Sequence, residues 1–194
     1  MRKTEFRSIE LPDLFRYYYF WNDFEKKYIE NKNNGNVDID LFYDYTKYMG
    51  ITRNFKSGKI ENVLNIADDY IKNTNQPSVD KLSDILCSNN LTHAGVKRVV
   101  VAASKILWFF DKNTIIMDNN NKNVLNKLPL RINNYQSYCD AWLNLFKIKQ
   151  IEIKNKIVEY EIFRIDEIFE SEWFQMRIFD TYLWKLFNEK ANAT

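Results

Sequence analysis

The segment Leu91–Arg98 reads Leu-Thr-His-Ala-Gly-Val-Lys-Arg and has the residue types of a backbone anion site. It joins two predicted apolar helices. Gly95 is the residue there that takes a positive φ without strain, so we predict a hairpin near Thr92–Gly95. The second helix would direct its first backbone N–H groups at an anion. With the helix dipole, these donors suit a phosphate and carry no base specificity. Lys97 and Arg98 follow directly and add positive charge.

A second segment places Asp118 23 residues after Gly95, in the string Thr-Ile-Ile-Met-Asp-Asn. The apolar string Ala103–Phe110 precedes it, and a spaced set lies near the C-terminus: Trp173, Arg177, Asp180, Leu183 and Trp184. Together these segments resemble the helix-hairpin-helix DNA glycosylase superfamily of the endonuclease III-like fold. In that family a glycine-rich hairpin precedes an essential aspartate at a helix start. The resemblance covers about residues 85–130 and the C-terminal set, under half of the chain.

The hairpin departs from the family pattern in two ways. The usual Leu-Pro-Gly-Val-Gly is His-Ala-Gly-Val-Lys at residues 93–97, without the proline and the second glycine. Bifunctional members carry a Schiff-base lysine just inside the second hairpin helix, but neither Lys97 nor Lys105 is in clear register with it. The chain also lacks a cysteine cluster for an iron–sulfur centre. The resemblance therefore implies a monofunctional enzyme that needs no cofactor.

The resemblance gives Asp118 a specific role. Removal of a base builds positive charge on the sugar, and a carboxylate there can stabilise the oxocarbenium-like state and orient a water. The target nucleotide must first leave the stack and enter a pocket. An aspartate at this point is also a common N-cap, here for a predicted helix over 119–127. Both roles place Asp118 at the same spot, so both stay open.

Further residues are candidates for phosphate contacts and for a base pocket. The predicted DNA contacts are Thr92, His93, Gly95, Lys97, Arg98 and Lys105. The predicted base pocket consists of Trp108, Tyr138, Trp142, Arg177, Asp180 and Trp184. Each of these residues also has an interpretation that involves no ligand. The hairpin side chains can simply be solvated, and aromatic residues at helical spacing are commonly core. The i,i+3 pair of Arg177 and Asp180 can be an ordinary ion pair that contributes roughly a few tenths of a kcal/mol.

The elements that must position these residues are predicted to be helices throughout. We predict helices at Pro12–Glu30, at Asp40–Met49, after caps at Ser57, Ser78 and Ser171, across Val96–Phe110, over 119–127, and from Tyr135 to about Ile151. Residues 150–165 also alternate like strands, but we favour helix because their neighbours are helical. Only four glycines and three prolines argue against an all-β fold. We predict one all-α, helix-hairpin-helix glycosylase-like domain over 1–194, with the hairpin and catalytic segment at 85–130 and C-terminal helices at 131–194.

Composition excludes several other classes of protein. One histidine and two cysteines, Cys87 and Cys139, cannot build a typical zinc site without several carboxylates, which argues against metallohydrolases and histidine-dependent RNases. We expect two reduced cysteines rather than a disulfide. The apolar runs are about five residues long, against about 20 for a membrane span, and the N-terminus has no apolar signal region. We therefore predict a cytoplasmic protein without a metal, a cofactor or a membrane partner.

The net charge of +2 hides an uneven distribution. Residues 85–158 hold 11 basic and 4 acidic side chains, a net of +7, whereas residues 159–194 have a net of −4. Segregated positive charge can attract a polyanion, although helix packing can also neutralise it internally. We predict a duplex DNA partner and excision of a damaged or modified base, with a role in repair or phage defence by analogy only. The alternatives are a non-catalytic DNA-binding module and a helical domain that binds an acidic protein.

Overall fold

The computed structural model describes residues 6–30, 37–128, 131–160 and 166–191. The regular secondary structure of these residues consists of helices without a strand, which confirms the all-α class. The helices are α1 (Leu11–Phe20), a π-helical segment (Trp21–Glu25), α2 (Lys26–Glu30), α3 (Ile39–Tyr48), α4 (Ile60–Lys72), α5 (Val79–Ser88), α6 (Val100–Phe110), α7 (Asn119–Leu125), α8 (Tyr135–Glu159) and α9 (Glu172–Ala191), with 3₁₀ turns at Thr52–Asn54 and Glu167–Glu170.

The chain divides into two compact units. The central unit spans Asn22–Met117 and contains α2 to α6. The terminal unit combines the described residues up to Trp21 with those from Asp118 onward, and it contains α1 and α7 to α9. The single domain over residues 1–194 stays a prediction. The predicted hairpin belongs to the central unit, whereas Asp118 is the first residue of the second segment of the terminal unit.

An aromatic core holds the central unit together. Tyr45 of α3 lies 4.7 Å from the ring of Phe109 on α6, and Phe42 lies 5.2 Å from the same ring. The Tyr45 hydroxyl also donates to the Lys105 carbonyl at 2.5 Å. The helical spacing of apolar residues in the sequence predicts stripes on α4 and α5, and all members but the half-buried Ile71 are buried: Ile60, Val63, Leu64, Ala67, Val79, Leu82 and Leu86. These contacts fix α6, which follows the hairpin.

Two predicted helix starts in the central unit are wrong. Helix α6 begins at Val100 rather than near Val96, so residues 96–99 are not helical. The backbone N–H of Val99 instead donates to the buried hydroxyl of Ser83 at 2.8 Å. Helix α4 has Lys59 at its N-cap, not Ser57, because Gly58 takes a φ of +71° between that serine and the helix.

The terminal unit is built on the long helix α8 and on α9. The preference for helix over residues 150–165 is confirmed through Glu159, and residues 161–165 lie outside the described part of the chain. Cys139 is buried on α8 and Cys87 is half-buried on α5, and both are free thiols, as expected.

The chain before α1 is tied to α9 through buried charge. The Asp13 carboxylate, with a side chain only 1% exposed, pairs with Arg7 at 2.8 Å and with Lys185 at 3.1 Å. The Arg7 carbonyl in turn accepts hydrogen bonds from Lys149 at 2.8 Å and from the Tyr182 hydroxyl at 2.5 Å. This network anchors the first described residues to helices α8 and α9.

Candidate active site and hairpin

Asp118 is the N-cap of α7, as the sequence predicts. Its backbone is extended, and its Oδ1 accepts a hydrogen bond from the Asn120 backbone N–H at 2.8 Å. The side chain is half-buried. The Asp118 carboxylate thus lies at the start of the short helix α7, and one of its oxygens accepts a backbone hydrogen bond.

The buried hydroxyl of Tyr138 on α8 lies close to Asp118. It accepts a hydrogen bond from the Asp118 backbone N–H and is near the carboxylates of Asp180 and Asp118. Burial raises the pKa of Tyr138 well above its ordinary value, and the two carboxylates raise it further, while the backbone hydrogen bond lowers it. Tyr138 therefore stays a neutral hydroxyl, able to donate a proton to a hydrogen-bond acceptor, at any physiological pH.

Asp180 on α9 links this pair to two further side chains. Its Oδ2 accepts a short hydrogen bond from Arg177, and its Oδ1 accepts one from Asn121 Nδ2 at 2.5 Å. The Arg177 guanidinium lies 5.6 Å from the centre of the Tyr17 ring, within cation–π distance. The predicted ion pair of Arg177 and Asp180 is present, and it belongs to a larger polar cluster.

We name this set the Asp118 cluster: Asp118, Asn121, Tyr138, Arg177, Asp180 and Tyr17. Four of its members were predicted for the site from sequence. Asn121 and Tyr17 were not. Asn121 carried a usable signal, because it lies three residues after Asp118 and so shares a face of the same helix. Tyr17 carried no such signal in the sequence, because an aromatic residue within a predicted helix indicates a core position.

Two buried polar atoms of the terminal unit lack a hydrogen-bond partner among the described residues: the Oδ1 of Asn121, within the cluster, and the Nε1 of Trp142 on α8. Asn121 turns its amide nitrogen to Asp180, which leaves its oxygen pointing away from that carboxylate. Trp142 packs against Phe146 and Phe179, with ring centres 5.0 and 4.8 Å apart. A buried polar atom without a partner costs about 1–3 kcal/mol, so these two atoms reduce the stability of the terminal unit.

The other aromatic candidates for a base pocket are in different settings. Trp108 is buried in the central unit, where it stacks on Tyr45 with ring centres 6.3 Å apart. Trp142 is likewise a core residue of the terminal unit. Trp184 is exposed on α9 and Trp173 is buried against Trp21. In this structure the indoles of Trp108 and Trp142 thus serve packing, and neither presents a face at the surface.

The turn of the predicted hairpin is present in the central unit at Ala94–Gly95. The prediction that the second helix directs its first backbone N–H groups at an anion from this turn is wrong, because α6 begins only at Val100 and the Val99 N–H bonds Ser83. Gly95 has a φ of +82°, and the Val96 N–H donates to the His93 carbonyl at 3.2 Å. Thr92 is buried and forms an isolated antiparallel bridge with Phe55, so its side chain is not at the surface. His93 and Gly95 are exposed. The bridge holds one arm of the hairpin, which leaves the turn facing solvent.

The three basic residues predicted to contact phosphate differ in their surroundings. Lys97 is exposed and lies before α6 rather than on it. Arg98 forms exposed ion pairs with Asp80 at 3.4 Å and with Asp84 at 3.2 Å. Lys105 donates to the Met49 carbonyl at 2.9 Å, near the end of α3. Lys97 therefore meets solvent directly, whereas Arg98 would exchange weak surface pairs for a phosphate.

Among the residues that the structure describes, no group of three or more His, Cys, Asp or Glu side chains is arranged to hold a metal ion. Over the same residues, no helix has both the length and the apolar character of a membrane span. Comparison with protein-family models, with curated proteins and with solved structures found no match to this chain.

Proposed function

We propose that the protein binds DNA and hydrolyses the N-glycosidic bond of a damaged or modified nucleotide, with Asp118 as the catalytic carboxylate. The observation that carries this proposal is the Asp118 cluster. Three segments far apart in sequence bring two carboxylates, a guanidinium and a buried neutral hydroxyl together around the start of α7. Such a cluster suits a reaction whose transition state develops positive charge on a sugar.

The two carboxylates of the cluster have different contacts, and we assign them different roles. Both oxygens of Asp180 are engaged, one by Arg177 and the other by Asn121. Asp180 is therefore a positioning residue that holds α7 and α9 in register. Asp118 is half-buried at the edge of the cluster, and we assign to it the stabilisation of the oxocarbenium-like sugar and the orientation of the attacking water.

Tyr138 completes the assignment as a positioning residue. Its hydroxyl accepts the Asp118 backbone N–H and stays protonated, so it can donate to a carboxylate without neutralising it. In the central unit, Lys97 and Arg98 beside the exposed turn supply phosphate contacts that position DNA without reading its sequence.

The test is alkali cleavage of duplexes that carry a panel of damaged and modified bases, which reports abasic sites. Asparagine is about as good an N-cap as aspartate, whereas alanine costs about 1 kcal/mol. Asp118→Asn should lose only the favourable charge at the helix start, roughly 0.3–1 kcal/mol, and should still bind DNA. It should form abasic sites at least about a hundredfold more slowly, the scale of removing one key electrostatic group.

Two further variants sharpen this test. Asp118→Ala should lose activity and stability together, which separates the capping role from the chemical one. Asp140→Asn, an exposed aspartate on α8, is the matched control and should behave as wild type. Full activity in Asp118→Asn would reduce Asp118 to a cap. If wild type releases no base from any duplex yet binds DNA, the non-catalytic DNA-binding alternative replaces the enzyme.

A further inference from the structure

Helix α8 has an outer face that the described residues of the terminal unit do not cover. Its inner side chains are buried, among them Tyr138, Trp142 and Ile153. On the opposite side, Ile148 and Val158 are each 60% exposed and Ile151 is 62% exposed. Single exposed aliphatic residues are ordinary, but three on one side of one helix form an apolar patch, which is typical of an interaction site. The exposed Lys154 and Asn155 lie between Val158 and the other two.

The apolar patch has a positive border. Lys147 and Lys154 are exposed and lie seven residues apart, so they follow the same side of the helix as the patch. Between Asp140 and Glu159 the sequence holds a single acid, Glu152. That carboxylate is bound to the buried Lys149 at 2.8 Å. The outer face therefore combines three exposed aliphatic side chains with two lysines along one edge.

We propose that this outer face of α8, defined as Lys147, Ile148, Ile151, Lys154 and Val158, docks an acidic amphipathic helix of a partner protein. The three aliphatic side chains lie at i, i+3 and i+10 along one side of α8, a row that suits the apolar stripe of a second helix packed alongside. The two lysines would meet glutamate or aspartate on the flank of that helix. The proposal does not depend on glycosylase activity.

The composition of the face favours this occupant over two others. A second copy of the chain paired through the same face would bring Lys147 and Lys154 near the same residues of its partner, where like charges repel. The phosphates of a nucleic acid would pair with the lysines, but they would not bury the three exposed aliphatic side chains. An acidic amphipathic helix satisfies both parts of the face.

The experiment uses the full chain and two synthetic helical peptides as probes. One carries leucine at heptad a and d positions with glutamate at e and g, and the other replaces each glutamate with lysine. Fluorescence anisotropy should show that wild type binds the acidic peptide in a salt-dependent way. Ile151→Gln should weaken this binding at least about tenfold, the scale of losing one central apolar anchor. The double variant Lys147→Glu, Lys154→Glu should lose the acidic peptide and gain the basic one.

A matched control changes charge elsewhere. Lys59→Glu with Lys81→Glu alters the net charge by the same amount at two exposed positions of the central unit and should bind the acidic peptide as wild type. All the substituted side chains are exposed, so unchanged circular dichroism melts are expected.

Three results would overturn the proposal. The first is failure of wild type to bind the acidic peptide, or equal binding of the basic one. The second is self-association in sedimentation that Ile151→Gln abolishes, which would make a second copy the occupant. The third is loss of DNA affinity in the lysine double variant without any peptide binding, which would make the face a nucleic-acid surface.

Discussion

Asp13 is a buried carboxylate with three sources of hydrogen bonds, and its replacement by asparagine measures what that network contributes. Arg7 donates to both of its oxygens at 2.8 and 2.9 Å, and Lys185 lies at 3.1 Å. The Glu10 backbone N–H donates to it as well, at 2.9 Å. Asp13→Asn keeps the shape of the side chain but leaves Arg7 and Lys185 with only the more exposed Glu189, at 3.5 and 3.6 Å, as a counter-charge.

The structure sets the size of the effect. Breaking a buried ion pair by removing one partner typically costs about 3–5 kcal/mol. Here the side chains of Arg7 and Lys185 remain 30% and 18% exposed, so both regain some hydration. We therefore expect Asp13→Asn to lose about 2–3 kcal/mol of unfolding free energy. For a chain of this length that corresponds to roughly 4–12 °C in Tm.

The effect should depend on pH in a defined direction. Burial raises the pKa of the Asp13 carboxyl, but the hydrogen bonds from Arg7, from the Glu10 N–H and from Lys185 outweigh it, so the pKa is lowered overall. A group with a lowered folded-state pKa stabilises the protein fully above its unfolded pKa, about 3.9 for aspartate, and loses this contribution as pH falls through the folded value. The Tm difference should hold between about pH 5 and 8 and narrow below about pH 4.

Thermal melts of wild type and Asp13→Asn across this pH range provide the measurement. Asp44→Asn, at an exposed aspartate of α3, is the control and should change Tm little at any pH. A variant that melts with wild type at pH 7 would show that the network contributes nothing net. A difference that is as large at about pH 3 as at pH 7 would show that the ionised carboxylate is not its source.

Three other changes test the central unit. Ser83→Ala removes the acceptor of the buried Val99 N–H and should cost about 1–3 kcal/mol in denaturant unfolding, whereas no change would mean that another group accepts this donor. Gly95→Ala places a side chain at a φ of +82° with no neighbour within 4 Å, so backbone strain alone should cost about 1–2 kcal/mol in the same assay. Lys97→Ala with Arg98→Ala should weaken binding to all DNA sequences and lower the salt slope by about one per contact, and an unchanged slope would move the phosphate contact elsewhere.

Local signals in the sequence predicted the helices and most of their ends. The stripe on α4 and the cap at Ser78 were correct, as was the cap at Asp118. So was the turn at Gly95. Each depends on residues within about one helical turn, so a short window of sequence contains the interactions that decide it.

Contacts between distant residues decided what the sequence alone could not. Helix α6 starts late because Val99 bonds Ser83, sixteen residues earlier in the chain. Trp108 and Trp142 have the periodicity of core and of pocket residues alike, and only the packing of neighbouring helices buried them. Asn121 joined the Asp118 cluster because α9 brings Asp180 beside it. The sequence by itself therefore determined an all-α chain with Asp118 at a helix start. Tertiary packing alone decided which side chains surround that carboxylate, because burial and pairing depend on partners that no local pattern encodes.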